Sequence, residues 1–316
     1  MALDVPPEHG PLTLHSPARA TRDRSSRVAL ITCDLFPQLW DDDFPLRDAL
    51  IDRGVAAEAV RWDDPAADWS AYDLAVLRSP WDYVPRRDAF VAWAHSVPRL
   101  FNPADVVAWN TDKRYLGELA AAGAPVIPTA FVGPTDTWTP PTSGEWVVKP
   151  TVSAGSQDTG RYHLPDQQSL AVAHVARLTA AGRTAMIQPY LTAVDEAGET
   201  ALLYFATPRG PLEFSHAIRK GPMLTGPDEG TIDPGSEDIS PRVPSPAEQA
   251  VGDRVLRAYA GDLSRLLYAR IDLIPGPDGE PLLIEFELTE PTLFLRQSEG
   301  AAARLADAII TRLQIP

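Results

Sequence analysis

The sequence predicts a mixed α/β and α+β protein, with a Rossmann-like α/β lobe first and a largely antiparallel remainder after it. Three observations lead there. Strand and helix patterns alternate from residue 27 to about 96, the arrangement that builds a small parallel sheet with helices on both faces. Beyond residue 140 the apolar strands are joined by hairpin-type turns such as "TPRG" and "PGPDGEP", which favour antiparallel pairing. The chain has 316 residues and is 44% hydrophobic, enough for a sizeable core divided among two or three lobes.

Taken in order, residues 1 to 26 are rich in Pro and charge, lack periodicity and read as a mobile arm. "RVALITCD" (27 to 34) reads as a strand, and "FPLRDALIDRG" (44 to 54) as a helix closed by Gly54. "AAEAVRW" (56 to 62) follows as a strand, "YDLAVLRSPWDY" (72 to 83) as a strand ending in a polar loop, and "RDAFVAWAHS" (87 to 96) as a helix. Active groups in such sheets lie just past the carboxyl ends of strands. That singles out Asp34 after the first strand, and Arg78, Asp82 and Tyr83 after the third. "NTDKRYLGELAAAGAPVIPTAFV" (110 to 132) opens on an N-cap signal, runs as a helix to Gly123 and leaves by a Pro-marked strand.

The second half contains the strands "EWVVKP", "TAMIQPYL", "ETALLYFAT", "LEFSHAIRK", "YARIDLI" and "LLIEFEL", with helices expected at 167 to 181 and 247 to 265. Residues 221 to 246 form a long Pro/Gly-rich connection without an apolar period, and such connections are usually lids or disordered. No internal repeat is present. The sequence thus divides into an arm (1 to 26), an N-terminal lobe (27 to 110), a central lobe (111 to 190) and a C-terminal lobe (191 to 316).

Composition excludes several classes. A net charge of -15 repels phosphate backbones and anionic membranes at long range. No apolar run reaches the roughly 18 residues that cross a bilayer, and the N-terminal residues lack a signal-peptide core, so a cytoplasmic location is expected. The single cysteine, Cys33, rules out an internal disulfide framework and a cysteine-based zinc site. The expected partners are small molecules, without nucleic acid or membrane, and a homodimer is left open.

Three stretches carry chemistry. In "GEWVVKPTVSAGSQDTGRY" (144 to 162) an apolar strand ends at Lys149, and a loop rich in Gly, Ser and Thr follows. Such a loop turns backbone N–H groups toward one point, and the ammonium supplies the charge that holds an anion there. The other reading is a surface hairpin with a solvated lysine. It is not a Walker A loop, because the lysine precedes the glycines. In "LLIEFEL" alternation places Glu285 and Glu287 on one face and Leu282, Ile284, Phe286 and Leu288 on the other. If "PGPDGEP" is a hairpin turn, a register that puts Asp272 opposite Glu285 also puts Arg270 opposite Glu287. Three carboxylates on one face repel one another unless a cation sits among them, and Mg²⁺ shared with substrate phosphates suits that role. An exposed acidic edge hairpin is the alternative. A glycosidase pair fits poorly, since acids two apart on one strand cannot flank a sugar. The third stretch, "AMIQPYLTAVDEAGE", passes from strand to loop at Gln188, Pro189, Tyr190 and Leu191 and then meets Asp195, Glu196 and Glu199. An extended segment offers adenine a backbone donor, a backbone acceptor and apolar faces, and a carboxylate offers a ribose its acceptor.

In this order, Lys113, Lys149 with its loop, the Gln188 to Leu191 hinge, Asp195, Lys220, Asp272, Glu285 and Glu287 resemble the ATP-grasp superfamily of carboxylate-amine ligases. The resemblance covers residues 27 to about 310. Phrases such as "LRSPWDY", "SHAIRK" and "EFELTEPTLFL" are similar to a small actinobacterial group that includes a cyclo-ligase forming D-cycloserine from O-ureido-serine. The resemblance implies ATP and Mg²⁺ as cofactors and a small-molecule carboxylate and amine as substrates. Lys113 and Lys149 would meet ATP phosphates, and the loop with Ser153, Gly155 and Ser156 would close over them. Gln188, Pro189, Tyr190 and Leu191 would hold adenine and Asp195 the ribose. Lys220, Arg219 and Arg270 would act near the γ-phosphate, and Asp272, Glu285 and Glu287 would bind metal, although Glu287 stands where the superfamily more often has Asn.

One departure concerns the acceptor substrate. Related ligases follow the "AxRK"-like strand with a short loop holding a Phe-Arg pair, whereas this chain has the 221 to 246 segment. Arg78, Arg242 and Arg296 are candidates to replace that cation, with Trp81, Asp82 and Tyr83 in the loop where a substrate would enter. The implied activity is an ATP-dependent ligase that forms an acyl phosphate and then an amide bond or a ring. The alternatives are a non-catalytic nucleotide-binding protein and an ATP-grasp kinase.

Overall fold

The computed structural model of the protein describes residues 25–207, 210–228 and 237–314. Most of the expected N-terminal arm, and residues 229 to 236 of the long connection, therefore lie outside the described residues.

Three sheets organise the chain. The first is parallel, with strand order β2-β1-β3-β4, and is built from β1 (Arg27–Thr32), β2 (Ala56–Arg61), β3 (Leu74–Ser79) and β4 (Leu100–Phe101), with α1 (Phe44–Ile51) and α2 (Arg87–Ser96) between them. β3 is buried along its whole length, as a strand covered on both faces requires. It ends at Ser79 and so includes Arg78, which was expected after it; Pro80 then withholds a ladder N–H and the chain enters a 3₁₀ turn over Trp81–Arg86. The N-cap expected at Asn110 is not formed. Asn110 ends a helix, α3 (Ala104–Asn110), before α4 (Tyr115–Ala121), and its amide is used instead to bind Phe286 O at 2.6 Å and Leu288 N at 2.7 Å.

The second sheet is antiparallel, with order β5-β8-β6-β7. It contains β5 (Ala130–Val132), β6 (Gly144–Pro150), β7 (Gly160–Leu164) and β8 (Ala185–Pro189), backed by α5 (Gln168–Ala180). β7 was not expected. It is the return strand of the loop that follows Lys149 and pairs with β6 from Gly144↔Leu164 to Val148↔Gly160.

The third sheet, order β11-β10-β9-β12-β13, follows the short helix α6 (Val194–Ala197). It comprises β9 (Glu199–Ala206), β10 (Leu212–Lys220), β11 (Ile239–Arg242), β12 (Tyr268–Pro275) and β13 (Pro281–Glu287), with α7 (Pro246–Ala258) and α8 (Ala301–Gln314) packed around it. Three expectations need correction here. Part of the 221 to 246 connection is an edge strand, β11. α7 stops at Ala258, short of 265. The C-terminal helix α8 was not anticipated, although Leu305, Ile309 and Arg312 bury one face of it with the spacing of an amphipathic helix. α7 starts from a capping box, with Ser245 Oγ accepting from Glu248 N at 3.2 Å and Glu248 Oε2 accepting from Ser245 N at 2.6 Å.

One apolar cluster joins a face of the first sheet to the third, through residues such as Leu30, Leu46, Leu203, Tyr268, Leu305 and Ile309. Separate clusters fill the other face of the first sheet and the space between the second sheet and α5. The second sheet is tied to the third where Leu283 N donates to Pro125 O at 2.7 Å and Ile127 N donates to Leu283 O at 3.0 Å. A cavity of about 990 Å³ lies among the three sheets, lined by residues of the second and third sheets and of the segments that follow β1 and β3.

Candidate active site

The hairpin β12–β13 has the expected register, Arg270↔Glu287 and Asp272↔Glu285, with a bulge between Asp272 and Leu273. The bulge leaves Ile284 without a partner, so that Ile284 lines the cavity beside Glu285 instead of facing the core. Asp272 is only 1% exposed. One oxygen accepts from Arg270 Nε at 2.9 Å, the other from Arg270 Nη2 at 2.8 Å and from Lys220 Nζ at 2.9 Å. Burial works against its charge, but Arg270 and Lys220 outweigh it and hold the carboxyl well below the usual range. Lys220 also contacts Glu199, its register partner on β9, and Arg270 also contacts Glu287. The ammonium of Lys220 is raised because Asp272 and Glu199 overcome its burial.

Glu285 pairs with Lys113 at 2.9 Å, and Lys113 also donates to Ser153 O at 2.8 Å, fastening the loop after β6 to the hairpin. Burial opposes the charge on Glu285, yet Lys113 and Lys149 leave its carboxyl lowered. Glu287 is raised by burial, with Glu285 and Asp272 adding to the effect and Arg270 opposing it.

Lys149 is 9% exposed and lines the cavity. Unlike Lys113, Lys220 and Arg270, its ammonium makes no hydrogen bond or ion pair with any described residue. Burial lowers its pKa, and Lys113 and Lys220 push the same way against Glu285 and Glu199. Ser153, Gly155 and Ser156 line the cavity beside it. Gly155 and Ser156 take φ values of +59° and +54°, a consecutive left-handed pair that turns the loop sharply. Arg177 and Arg183 hold the far side of the loop through Asp158.

Gln188, Pro189, Tyr190 and Leu191 line the cavity at the end of β8. The Tyr190 ring lies under the Arg161 guanidinium, 3.6 Å from it, and its hydroxyl donates to Asp195. Asp195 itself stands outside the cavity lining, also engaged by Arg161 at 3.3 Å. Pro222, Met223 and Leu224 complete this side, and Arg161 N donates to Gly226 O at 2.8 Å.

The wall nearest the first sheet holds Phe36, Trp40 and Trp81, packed edge to face with centroids 5.0 to 5.7 Å apart, together with Tyr83, Glu290 and Arg296. Four residues expected near substrate or phosphate do not reach the cavity. Arg78, 1% exposed, is spent on Asp43 at 2.8 Å and Pro291 O at 3.0 Å. Asp82 accepts from Trp62 Nε1 at 2.7 Å and Arg86 at 3.0 Å. Arg242 pairs with Glu248 at 3.0 Å, and Arg219 with Ala197 O at 2.9 Å and Asp238 at 3.1 Å. Sequence reasoning named Glu199 only as one of the acids after the hinge, without its pairing to Lys220, and missed Glu290. The first follows from the hairpin register opposite Lys220, the second from its place just past the end of β13.

The expected three-carboxylate metal group is not assembled as such. Among the described residues no three acidic, His or Cys side chains converge as a ligand set, because Arg270 and Lys220 occupy Asp272. Glu285 and Glu287 do line the cavity, Glu285 paired with Lys113 and Glu287 with Arg270, and Glu287 is raised chiefly by burial. Two hard carboxylate donors on one wall fit a Mg²⁺ ion completed by phosphate oxygens.

Residues 28–102 match the family described as the N-terminal domain of the D-cycloserine synthetase DcsG. The chain is 39% identical over 306 residues to the cycloserine biosynthesis protein DcsG of Streptomyces lavendulae, covering 91% of this chain and 99% of that one. It superposes on the crystal structure of the D-cycloserine synthetase DcsG with a TM-score of 0.80 and 38% identity, over 92% of this chain and all of the other. The D-alanine–D-alanine ligase of Bacillus anthracis, solved with ATP, shares the fold at a TM-score of 0.64 and 14% identity, over 92% of this chain and 96% of the other. The three-sheet architecture around one charged cavity is that of an ATP-grasp ligase, an enzyme that forms carbon–nitrogen bonds. Within that class the chain belongs to the DcsG family.

Proposed function

We propose that the protein is an ATP-dependent ligase of antibiotic biosynthesis that closes a ring on an amino-acid-like substrate, a reading supported by its likeness to proteins named for cycloserine biosynthesis and D-cycloserine synthesis. The observation that carries this reading is Lys149, a buried ammonium without a protein partner in a cavity that also presents Glu285 and Glu287. A polyphosphate chelating a divalent cation complements both features. On this reading the chain works as three lobes, 27 to 110, 111 to 190 and 191 to 316, with the nucleotide between the second and third.

Gln188 to Leu191 cradle the base, and Asp195 reaches a ribose hydroxyl by exchanging its contact with Tyr190. Lys113, Lys149 and the Ser153 to Ser156 backbone hold the phosphates. Glu285 and Glu287 would hold Mg²⁺, which would supply shielding of the phosphate charge. The γ-phosphoryl passes to a substrate carboxylate oxygen and ADP leaves. The substrate nitrogen then attacks the acyl carbon, phosphate departs, and the nitrogen loses its proton; from O-ureido-serine this gives an N-carbamoyl ring, which becomes D-cycloserine when water removes the carbamoyl group as carbon dioxide and ammonia. Lys220 is fixed by Asp272 and Glu199 and sits beside the transferred group, while Arg270 holds the carboxylates in place; neither supplies a nucleophile.

The test is ADP release by the purified protein with ATP, Mg²⁺ and O-ureido-serine, with the product followed by mass spectrometry. A cyclised product formed together with ADP supports the proposal. Accumulation of a stable phosphorylated compound instead would make the protein a kinase.

A further inference from the structure

Ring closure of the kind proposed above leaves the α-amine of the substrate unused, and the cavity holds a carboxylate that the phosphate chemistry does not use. D-cycloserine carries its new amide within the ring and keeps a primary amine outside it. That amine, protonated near neutral pH, enters and leaves the reaction unchanged and needs a counter-ion that also keeps it away from the activated carboxyl.

Glu290 has the properties such a counter-ion requires. It lines the cavity next to the aromatic wall. The Tyr83 hydroxyl donates to its Oε1 at 2.6 Å, and Trp81 Nε1 donates to its backbone carbonyl at 2.9 Å, so the side chain and its peptide are both fixed from the first sheet. Among the described residues no Lys or Arg forms an ion pair with it; Lys113, the cation that most lowers its pKa, is already committed to Glu285 and Ser153. Burial lifts the carboxyl to about 7, against the pull of Tyr83 and Lys113, and a bound cation would restore its charge. The ring of Trp81, whose Nε1 donates to the Glu290 carbonyl, and those of Phe36 and Trp40 packed against it supply the apolar and π surface that favours an ammonium over water.

We propose that Glu290, positioned by Tyr83 and Trp81, binds the unreacted ammonium of the substrate and so selects amino-acid-derived carboxylates over plain ones. This assignment rests on the ring-closing reading of the site. Neither the hairpin acids nor Asp42 can take the role. Glu285 and Glu287 face the phosphate side with Lys113 and Arg270, and Asp42 is used by the backbone N–H groups of Leu295 and Arg296, at 2.9 and 3.1 Å.

The experiment is calorimetric titration of the ADP-loaded protein with D-cycloserine and with 3-isoxazolidinone, the same ring without the amine. The wild-type protein is expected to prefer D-cycloserine by at least about tenfold, the scale of a charge-assisted hydrogen bond. Glu290→Gln should abolish that preference and leave 3-isoxazolidinone and ADP binding within about twofold. Tyr83→Phe should reduce the preference without abolishing it. Equal binding of the two rings by the wild-type protein overturns the assignment without any variant, as does a preference that survives Glu290→Gln. Binding of neither ring, together with no ADP release on O-ureido-serine, overturns the ring-closing reading and the assignment with it.

Discussion

Replacing Lys149 with Met separates a binding role from a structural one, because the two predict opposite signs. Met keeps the aliphatic stem and approximate volume, so β6 and its pairing with Met186 on β8 are preserved while the charge is removed. In the ligand-free protein that charge is a burden. The ammonium is 9% exposed, has no partner among the described residues, and its pKa is lowered by burial and by Lys113 and Lys220 despite Glu285 and Glu199. The net downward shift means that the folded surroundings disfavour the charge, so Lys149→Met should leave the urea midpoint unchanged or raise it. Nucleotide binding should move the other way. Loss of one charge-assisted contact to phosphate costs about 1.5 to 3 kcal/mol, or roughly ten- to 150-fold in the Kd of a non-hydrolysable ATP analogue. Urea denaturation and calorimetric titration of the same preparations measure both. A variant that loses stability while binding the analogue as tightly as wild type would show that Lys149 is a structural residue, and the phosphate assignment would fall.

Three further predictions concern the frame that holds the site. Arg78→Ala strands Asp43, with both side chains at most 3% exposed, and should cost about 3 to 5 kcal/mol in urea unfolding; an unchanged midpoint with lost turnover would return Arg78 to the substrate. His216 is lowered to about 4, mainly by burial, while its Nε2 meets Leu293 O at 3.0 Å. Its contribution is therefore complete above pH 6.5, where the unfolded imidazole is neutral too, and is lost as pH falls toward 4, by about 3 kcal/mol in all. His216→Gln should flatten the stability profile over that interval, and parallel wild-type and variant profiles would refute the burial argument. Gly252 lies inside α7, where a Cβ would sit 2.2 Å from the Tyr204 hydroxyl and 2.9 Å from Leu202 Cδ1. Gly252→Ala should therefore destabilise by about 1 to 3 kcal/mol despite alanine's helix propensity, and a more stable variant would show that α7 can move away.

The parts of this architecture that were legible in the sequence are those fixed by local pattern. The parallel strands β1 to β3 are short, mainly apolar runs alternating with helical segments, and the register of Asp272 with Glu285 followed from the turn between β12 and β13. The features that were not legible depend on which distant group reaches a polar side chain first. Arg78 was expected just past a strand end, the place of an active-site residue, but it is the penultimate residue of β3, and Asp43, 35 positions away, captures it. Asn110 has the composition of a helix cap, but Phe286 and Leu288 claim its amide across the fold. Ile284 changes face because of a bulge that alternation cannot register. Glu290 was overlooked because nothing in "ELTEPT" shows that Tyr83 and Trp81, over 200 residues earlier, come to it.

The central claim is that the cavity among the three sheets binds a metal-complexed nucleotide. Calorimetric titration of the wild-type protein with a non-hydrolysable ATP analogue, with and without Mg²⁺, tests it most directly. Saturable one-site binding that tightens when Mg²⁺ is present, and loses that tightening in Glu287→Gln, is the predicted result. Absence of binding in both conditions would contradict the account and leave Lys149, Glu285 and Glu287 as an acidic hairpin facing a buried lysine with no ligand between them.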